Sequence, residues 1–285
     1  MKTLKLSKIL LYSALFLITL TMIIPIVNLL AMSLTAPENA HKMTGLSLIP
    51  KGFSLINYQI LLSNPLIVKS LFNSIFITVS GTLLNLLLTA LAAYVLTRKR
   101  LVGRKFFMVI LILIMVFEPG LIPEYLVVKN LGLLDSYLSL ILYKAINVYY
   151  LFIMMRFFED VPESIQEAAR IDGAGHLNIF FRIMLPLSKP ALATLGLFYA
   201  VFHWNEFFRA SIYLTDPGKW PLQLVLRQFV VERDNASLVG VQTLLEYKSV
   251  ANLDFGSLQA GTIMLAIMPL LIMYPFILKF YAKGA

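Results

Sequence analysis

The sequence predicts an all-α membrane protein with six transmembrane helices. Of its 285 residues, 59% are hydrophobic and only 14% are charged, and the mean hydropathy is +0.81. This composition excludes an ordinary soluble globular domain. A helix that spans a bilayer needs about 20 mostly apolar residues, and the chain contains six such runs. They cover residues 9–34, 69–96, 106–124, 136–158, 189–213 and 259–281.

Basic residues predict the orientation of these spans. If the N-terminus is cytoplasmic, the segments 1–8, 97–105, 156–189 and 279–285 lie inside the cell. These segments hold 14 Lys and Arg against five Asp and Glu, and therefore the whole formal charge of +9. Such an excess follows the positive-inside rule, so both termini are expected to be cytoplasmic and no nucleic-acid partner is needed. The first run is expected to be a retained helix, because it is too long for a signal peptide.

The second span carries small and polar residues along one helical face. In lipid, small residues let helices approach closely, and hydroxyls and amides form bonds between helices. The stripe therefore favours helix packing within the protein. The alternative is that part of it faces a partner subunit and a translocation path. Its members are Ser74, Thr78, Gly81, Thr82, Asn85, Thr89, Ala92 and Ala93.

The third span is predicted to break at its outer end, where Pro119, Gly120 and Pro123 follow Glu118. Broken backbone at membrane depth is tolerated where protein or a watery cavity surrounds it. Glu118 is therefore a candidate for the wall of a vestibule, and an interfacial carboxylate is the equal alternative.

The fifth span combines aromatic and ionisable residues that are predicted to share one helical face. Ionisable groups at such depth are costly and usually face a cavity or one another. Glu206 and Arg209 are three residues apart, so the alternative is that they simply neutralise each other. Arg209 is also the expected partner of a carboxylate if the cargo is acidic. The predicted pathway residues are Tyr199, Phe202, His203, Asn205, Glu206 and Arg209, with Glu118 from the third span.

A charged segment between the fourth and fifth spans is predicted to form an elbow of two short helices. The first runs from about Pro162 to Asp172 and stops at Gly173, and the second ends near Pro186 because proline lacks an amide donor. The elbow is too polar to enter lipid, and its apolar residues favour a protein partner. An interfacial helix on lipid headgroups is the alternative.

The same segment reads EAA-x3-G-x9-I-x-L-P from Glu167 to Pro186. It resembles the cytoplasmic signature of permease subunits in binding-protein-dependent ABC importers. Outside this signature, three stretches resemble the carbohydrate branch, the group of the maltose importer's smaller permease. The last of them is similar to permeases for complex or acidic oligosaccharides such as oligouronides. These stretches are Arg156-Phe157-Phe158, Trp204-Asn205-Glu206-Phe207 and Trp220-Pro221-Leu222-Gln223-Leu224.

The resemblance implies a type I importer permease fold in the bacterial cytoplasmic membrane, with the elbow as a coupling helix. It implies three kinds of protein partner, which are a second homologous permease, two ATP-binding cassette subunits and an extracytoplasmic solute-binding protein. The lipid bilayer surrounds the chain. ATP and Mg would be bound by the ATPase, because this sequence has no phosphate-binding loop, and no cofactor, catalytic residue or metal is expected in this chain. The implied coupling residues are Glu167, Ala168, Ala169, Asp172, Gly173, Ile183, Leu185 and Pro186.

Domain organisation follows from the spans. Residues 1–68 are predicted to form the first helix and external loop, 69–281 the transmembrane core, and 282–285 a short cytoplasmic tail. Two other classes of protein fit the sequence less well. A secondary transporter is expected to show inverted repeats with paired broken helices, which the sequence lacks. A membrane-embedded enzyme needs convergent catalytic groups, and the acidic and histidine residues have no catalytic spacing.

Overall fold

The computed structural model describes residues 2–99, 101–232 and 254–281. These ranges are helical apart from loops, and their β pairing is an isolated bridge between Thr35 and Phe53. A π turn (Phe180–Met184) and 3-10 turns (Pro37–Lys42 and Pro217–Lys219) accompany the α-helices. The helices are α1 Lys2–Ser33, α2 Ile56–Ser63, α3 Pro65–Leu96, α4 Arg104–Val116, α5 Leu121–Asn130, α6 Leu138–Ile141, α7 Val148–Glu159, α8 Glu163–Ile171, α9 His176–Ile179, α10 Leu185–Leu187, α11 Lys189–Trp204, α12 Phe208–Tyr213, α13 Leu222–Val230 and α14 Phe255–Tyr281.

Three helices in the described ranges are long and apolar enough to cross a membrane, and they lie in α1, α3 and α14. The number rises to five if each of two bent helix pairs counts as one span. The all-α membrane architecture is therefore confirmed, while the number six stays a prediction. The predicted fourth run, 136–158, is divided between α6 and α7. It breaks because Lys144 adopts a positive φ of 48° and Asn147 caps α7 by accepting from two backbone amides.

The chain forms two compact units, residues 1–68 with 225–269 and residues 69–224 with 270–285. In the first unit, the Asn57 side chain donates to the carbonyls of Ser33 and Thr35 and joins α2 to the end of α1. The predicted domain boundaries stay a prediction. The predicted tail 282–285 and residues 233–253, between the fifth and sixth predicted spans, lie outside the described residues.

The core of the second unit surrounds the C-terminal end of α3. The alanines of α3 allow α7 and α11 to approach closely, since they have almost no side chain to separate the helices. The π turn after α9 contributes two further buried side chains. The buried members include Ala90, Ala93 and Tyr94 of α3, Leu151, Met154 and Phe158 of α7, Phe180 and Met184 of the π turn, and Ala191 and Leu195 of α11.

Candidate functional site

The predicted elbow is present, and α8 is its first limb. Pro162 occupies the N-cap position, and the helix ends in a left-handed turn at Gly173, whose φ is +84°. The Gly173 amide donates to the Arg170 carbonyl at 3.0 Å, and the Ala174 amide donates to the Ala169 carbonyl at 2.8 Å. These two bonds form a Schellman motif, which satisfies the last carbonyls of a helix and favours glycine. The predicted stop at Gly173 is therefore confirmed.

The second limb runs from His176 to Leu187, through α9, the π turn and α10. It ends one residue after Pro186, and the chain bends by 82° before α11. A π turn, which is wider than an α-helical turn, precedes Pro186. Because proline has no amide donor, a regular α-helix would be interrupted at this position. Ile179 and Phe180 are fully buried, so this limb is anchored in the core.

Large apolar side chains lie exposed on both sides of the apex. Ile171 is 87% exposed and Leu177 is 68% exposed, and apolar area of this kind indicates contact with another protein. Neither residue belongs to the predicted coupling residues, although both are apolar residues in a charged segment. Of the predicted coupling residues, Glu167, Ala168, Asp172, Gly173 and Pro186 are exposed, whereas Ala169, Ile183 and Leu185 are half-buried.

A cleft of about 1170 Å³ separates α8 from the segment that follows α3. Two side chains of that segment reach α8. Lys99 Nζ lies 2.7 Å from Glu163 Oε2, and this hydrogen bond raises the pKa of Lys99. The pair is exposed to water, so it contributes little to stability. Arg98 Nη1 donates to Gln166 Oε1 at 2.7 Å. Neither contact was predicted, because residues so far apart in sequence give no local signal of proximity.

The common helical face predicted for the fifth span is wrong. It assumed a continuous helix, whereas α11 ends at Trp204 and α12 begins at Phe208. Glu206 lies in the break, and its Oε1 accepts the backbone amide of Arg209 at 2.9 Å. A carboxylate at the start of a helix satisfies a free amide and interacts favourably with the helix dipole. Glu206 therefore stabilises the start of α12.

Two of the predicted pathway residues lie between helices. Tyr199 is 1% exposed, and its hydroxyl lies 2.7 Å from Thr89 Oγ1 and accepts the Asn147 amide at 3.1 Å. His203 is 3% exposed, and its Nε2 accepts from Asn85 Nδ2 at 3.1 Å. The bonds of Thr89 and Asn85 join α3 to α11, and the bond of Asn147 joins α11 to the start of α7. The packing interpretation of the α3 stripe accounts for Asn85 and Thr89, as it does for Ser74, which accepts the Leu222 amide.

Arg209 is the centre of a polar cluster at the break. Its Nη2 lies 3.5 Å from Glu124 Oε2 of α5, and its Nη1 lies 3.6 Å from Glu206 Oε2. The guanidinium carbon lies 3.9 Å from the centroid of the Tyr143 ring, and Phe202 stacks on that ring at 5.9 Å. We call these five residues the Arg209 cluster. Its formal charge is −1, so Arg209 is not a free cation in this arrangement.

The predicted break of the third span is confirmed. Helix α4 ends at Val116, α5 begins at Leu121, and the two meet at 116°. Glu118 lies in this break, where its carboxylate pairs with Lys144 at 3.0 Å and remains 77% exposed. Asn205 is also exposed, and its Nδ2 donates to the Val201 carbonyl. Whether these residues line a pathway stays a prediction.

Residues 102–278 match the family described as "Binding-protein-dependent transport system inner membrane component". The chain is 42% identical over 282 residues to the "Polygalacturonan/rhamnogalacturonan transport system permease protein YtcP" of Bacillus subtilis (strain 168), covering 99% of this chain and 96% of that protein. It is 41% identical over 264 residues to "Protein LplC" of the same organism, covering 92% and 87%.

A solved structure has the same fold. It is one chain of the "Crystal structure of a bacterial ABC transporter involved in the import of the acidic polysaccharide alginate". The two chains are 31% identical, each is covered to 97%, and the TM-score is 0.89. This chain therefore shares its fold with that chain of the transporter.

Proposed function

Because the chain belongs to the family of binding-protein-dependent transport system inner membrane components, we propose that it is the permease subunit of an ATP-driven importer for an acidic oligosaccharide. The elbow is the observation that carries this proposal. Its two short helices meet at the left-handed Gly173, with Ile171 and Leu177 exposed beside the apex. A short helix that presents apolar side chains next to carboxylates is suited to a groove in a soluble partner.

The partner proposed for the elbow is an ATP-binding cassette subunit, two of which would serve the complete importer. ATP and Mg would bind there, because this sequence has no phosphate-binding loop. A second homologous permease would complete the membrane pore, and an extracytoplasmic solute-binding protein would deliver the cargo. In this arrangement the exposed signature residues, Glu167 among them, contact the ATPase. The half-buried Ile183 and Leu185 hold the second limb in place.

The proposed orientation puts the elbow and both termini in the cytoplasm. The four segments placed inside carry the whole formal charge of +9, and 97–105 holds five basic residues and no acidic one, which supports this side. The Arg209 cluster would then lie along the pathway from the outer face. The membrane proposed is the bacterial cytoplasmic membrane.

The acidic class of cargo is supported by two similar proteins, whose names concern the transport of polygalacturonan and rhamnogalacturonan and the import of alginate. The Arg209 cluster offers suitable chemistry for it. Arg209 has the fork of donors that binds a carboxylate, and it lies on the Tyr143 ring, which also stacks with Phe202. The contact of Arg209 with Glu124 is 3.5 Å long, whereas a charge-assisted hydrogen bond measures about 2.7–2.9 Å. A uronate carboxylate that replaced Glu124 and approached Arg209 to about 2.7–2.9 Å would therefore bind Arg209 more strongly than Glu124 does. Glu206 would remain, because it also holds the Arg209 amide.

Purification of the complete importer tests the proposal. The chain would be co-expressed with a second permease, the ATPase and the solute-binding protein, and reconstituted in proteoliposomes. We expect the ATPase to co-purify, and labelled digalacturonate to accumulate when ATP is inside and the binding protein is outside. Maltotriose, a neutral sugar, is the control. Uptake of maltotriose without digalacturonate would reject the acidic class, and lack of a bound ATPase would reject the importer.

A further inference from the structure

Helix α8 is held by very little packing. Gln166 is its only buried residue, with 8% exposure, and it is a polar one. Its Oε1 accepts Nη1 of Arg98 at 2.7 Å. The cleft of about 1170 Å³ lies along the same side of the helix, so close packing does not fix α8 there. A charge-assisted hydrogen bond is directional and stronger than a neutral one. The bond between Arg98 and Gln166 is therefore a main determinant of where α8 lies.

Arg98 is itself fixed by the end of α3. Its guanidinium carbon lies 4.0 Å from the centroid of the Tyr94 ring, one turn earlier. The Tyr94 hydroxyl donates to the His176 carbonyl at 3.1 Å, and the Tyr94 ring packs against Phe180 with centroids 5.3 Å apart. One end of α3 thus contacts both limbs of the elbow, the second through Tyr94 and the first through Arg98.

The middle of α3 contacts α11, the helix that ends next to the Arg209 cluster. Asn85 and Thr89 bind His203 and Tyr199 of α11 through buried hydrogen bonds. Helix α3 runs without a break for 32 residues. The covalent route from α11 back to α8 instead passes through the 82° bend and the π turn. An unbroken helix transmits a displacement better than a bent and irregular segment does.

We propose that Arg98 is a positioning residue for coupling. By holding Gln166 it makes α8 follow the end of α3, and a displacement of α3 by α11 is thereby delivered to the ATPase that docks on the elbow. This inference rests on the proposed function, since it needs the elbow to be the ATPase contact.

The test compares Arg98→Ala with Lys99→Ala in the complete importer in proteoliposomes. Both variants remove one positive charge and one contact to α8 from the same turn, but the pair of Lys99 with Glu163 is exposed to water. The measurement is the number of digalacturonate molecules imported per ATP hydrolysed, at matched amounts of assembled complex. We expect this ratio to fall at least fivefold in Arg98→Ala and to stay within twofold of the wild type in Lys99→Ala. An unchanged ratio in Arg98→Ala would overturn the proposal.

A double variant separates positioning from simple burial of an unpaired amide. Arg98→Ala leaves the buried Gln166 amide unpaired, which is expected to lower the amount of assembled complex. Arg98→Ala/Gln166→Leu removes both polar partners, so this amount is expected to recover. The import ratio is expected to stay low, because the bond that positions α8 is still missing. Recovery of the ratio would contradict a positioning role.

A distance measurement gives a readout that does not depend on the cargo. The chain has no cysteine, so spin labels can be placed at the exposed positions 102 and 164 with Val102→Cys and Ser164→Cys. In the assembled complex, Arg98→Ala is expected to broaden or shift the distance distribution, and Lys99→Ala is expected to leave it unchanged. Identical distributions in all three backgrounds would refute the role of Arg98. Failure of the ATPase to co-purify with the wild type would instead refute the proposed function.

Discussion

Gly81 lies directly against the imidazole of His203. A Cβ atom at residue 81 would sit 2.5 Å from Nε2 of that ring, closer than real side chains approach. The ring has little freedom to move, because it is 3% exposed and bound to Asn85. This contact sets the separation of α3 and α11, the two helices that connect the elbow to the Arg209 cluster.

The variant Gly81→Ala is therefore expected to destabilise the protein by about 1–3 kcal/mol, the usual cost of overpacking a close contact. Thermal unfolding followed by size-exclusion chromatography in detergent measures the effect. Gly196→Ala is the matched control on α11, where the new Cβ would lie 3.2 Å from the movable end of the Leu86 side chain. We expect the control to be close to neutral. Equal midpoints for both variants would show that the His203 contact does not constrain these helices.

At the elbow, Gly173→Leu is expected to weaken ATPase co-purification and to uncouple hydrolysis from transport. Leucine at a φ of +84° costs about 1–2 kcal/mol, because the left-handed conformation crowds its Cβ. Gly173→Asn should keep coupling, since asparagine tolerates this conformation. Gly175→Ala should be harmless, because its φ is −70° and the new Cβ would meet nothing within 4 Å. If Gly173→Leu binds the ATPase and imports sugar like the wild type, the elbow is not the docking site.

The Arg209 cluster predicts a non-additive pair of variants. Arg209→Ala leaves the carboxylates of Glu124 and Glu206 close together without their cation, and Glu206 is only 8% exposed in its side chain. The double variant Arg209→Ala/Glu206→Gln removes one of these charges and should be milder than Arg209→Ala in protein stability. Digalacturonate uptake should remain low in both, because the carboxylate partner is gone. Wild-type uptake in Arg209→Ala would show that Arg209 only neutralises the glutamates.

Single-cysteine labelling tests the orientation without further engineering, since the chain has no cysteine. In intact cells, an impermeant maleimide is expected to label Thr215→Cys and not Ser164→Cys, and both positions are exposed. Permeabilised cells should label both, which controls for reactivity. Labelling of Ser164→Cys from outside would reverse the topology.

A pH effect is expected where two loops meet at Asp135. Its carboxylate accepts from Lys219 Nζ at 2.8 Å and from the amides of Thr215 and Asp216, and these bonds lower the pKa of Asp135, the lysine bond most of all. A lowered pKa means that the stabilisation is complete above the ordinary Asp pKa and is lost as the pH falls through the lowered value. Asp135→Asn removes the titration, and asparagine accepts the positive φ of 55° at this position. The wild type should therefore be more stable than Asp135→Asn at pH 7, and the difference should shrink as the pH falls below the ordinary Asp pKa and through the lowered one. A difference that is independent of pH would exclude this carboxylate as the cause.

Local sequence determined the features that depend on neighbouring residues. The apolar composition specifies a membrane protein, because only such a chain can be stable in lipid. Pro119 and Gly120 specify the break after α4, and Gly173 specifies the end of α8, since each acts through the backbone conformation of its own residue. The signature from Glu167 to Pro186 identified the family for the same reason, as its spacing is read along the chain.

Tertiary structure decided which distant residues meet and which predicted helices are interrupted. The helical period placed Tyr199, Glu206 and Arg209 on one face, but the chain leaves the helix after Trp204, where the Glu206 carboxylate starts a new helix at Arg209. The bond of Arg98 to Gln166 joins residues 68 positions apart, and no local pattern encodes such a distance. Residues 199 and 203 resembled a cavity lining by composition, and the structure shows that the Tyr199 hydroxyl and His203 Nε2 bond to Thr89 and Asn85 of the neighbouring helix. Composition shows that a polar group inside a membrane protein needs a partner, and only the packing of the helices determines which residue that partner is.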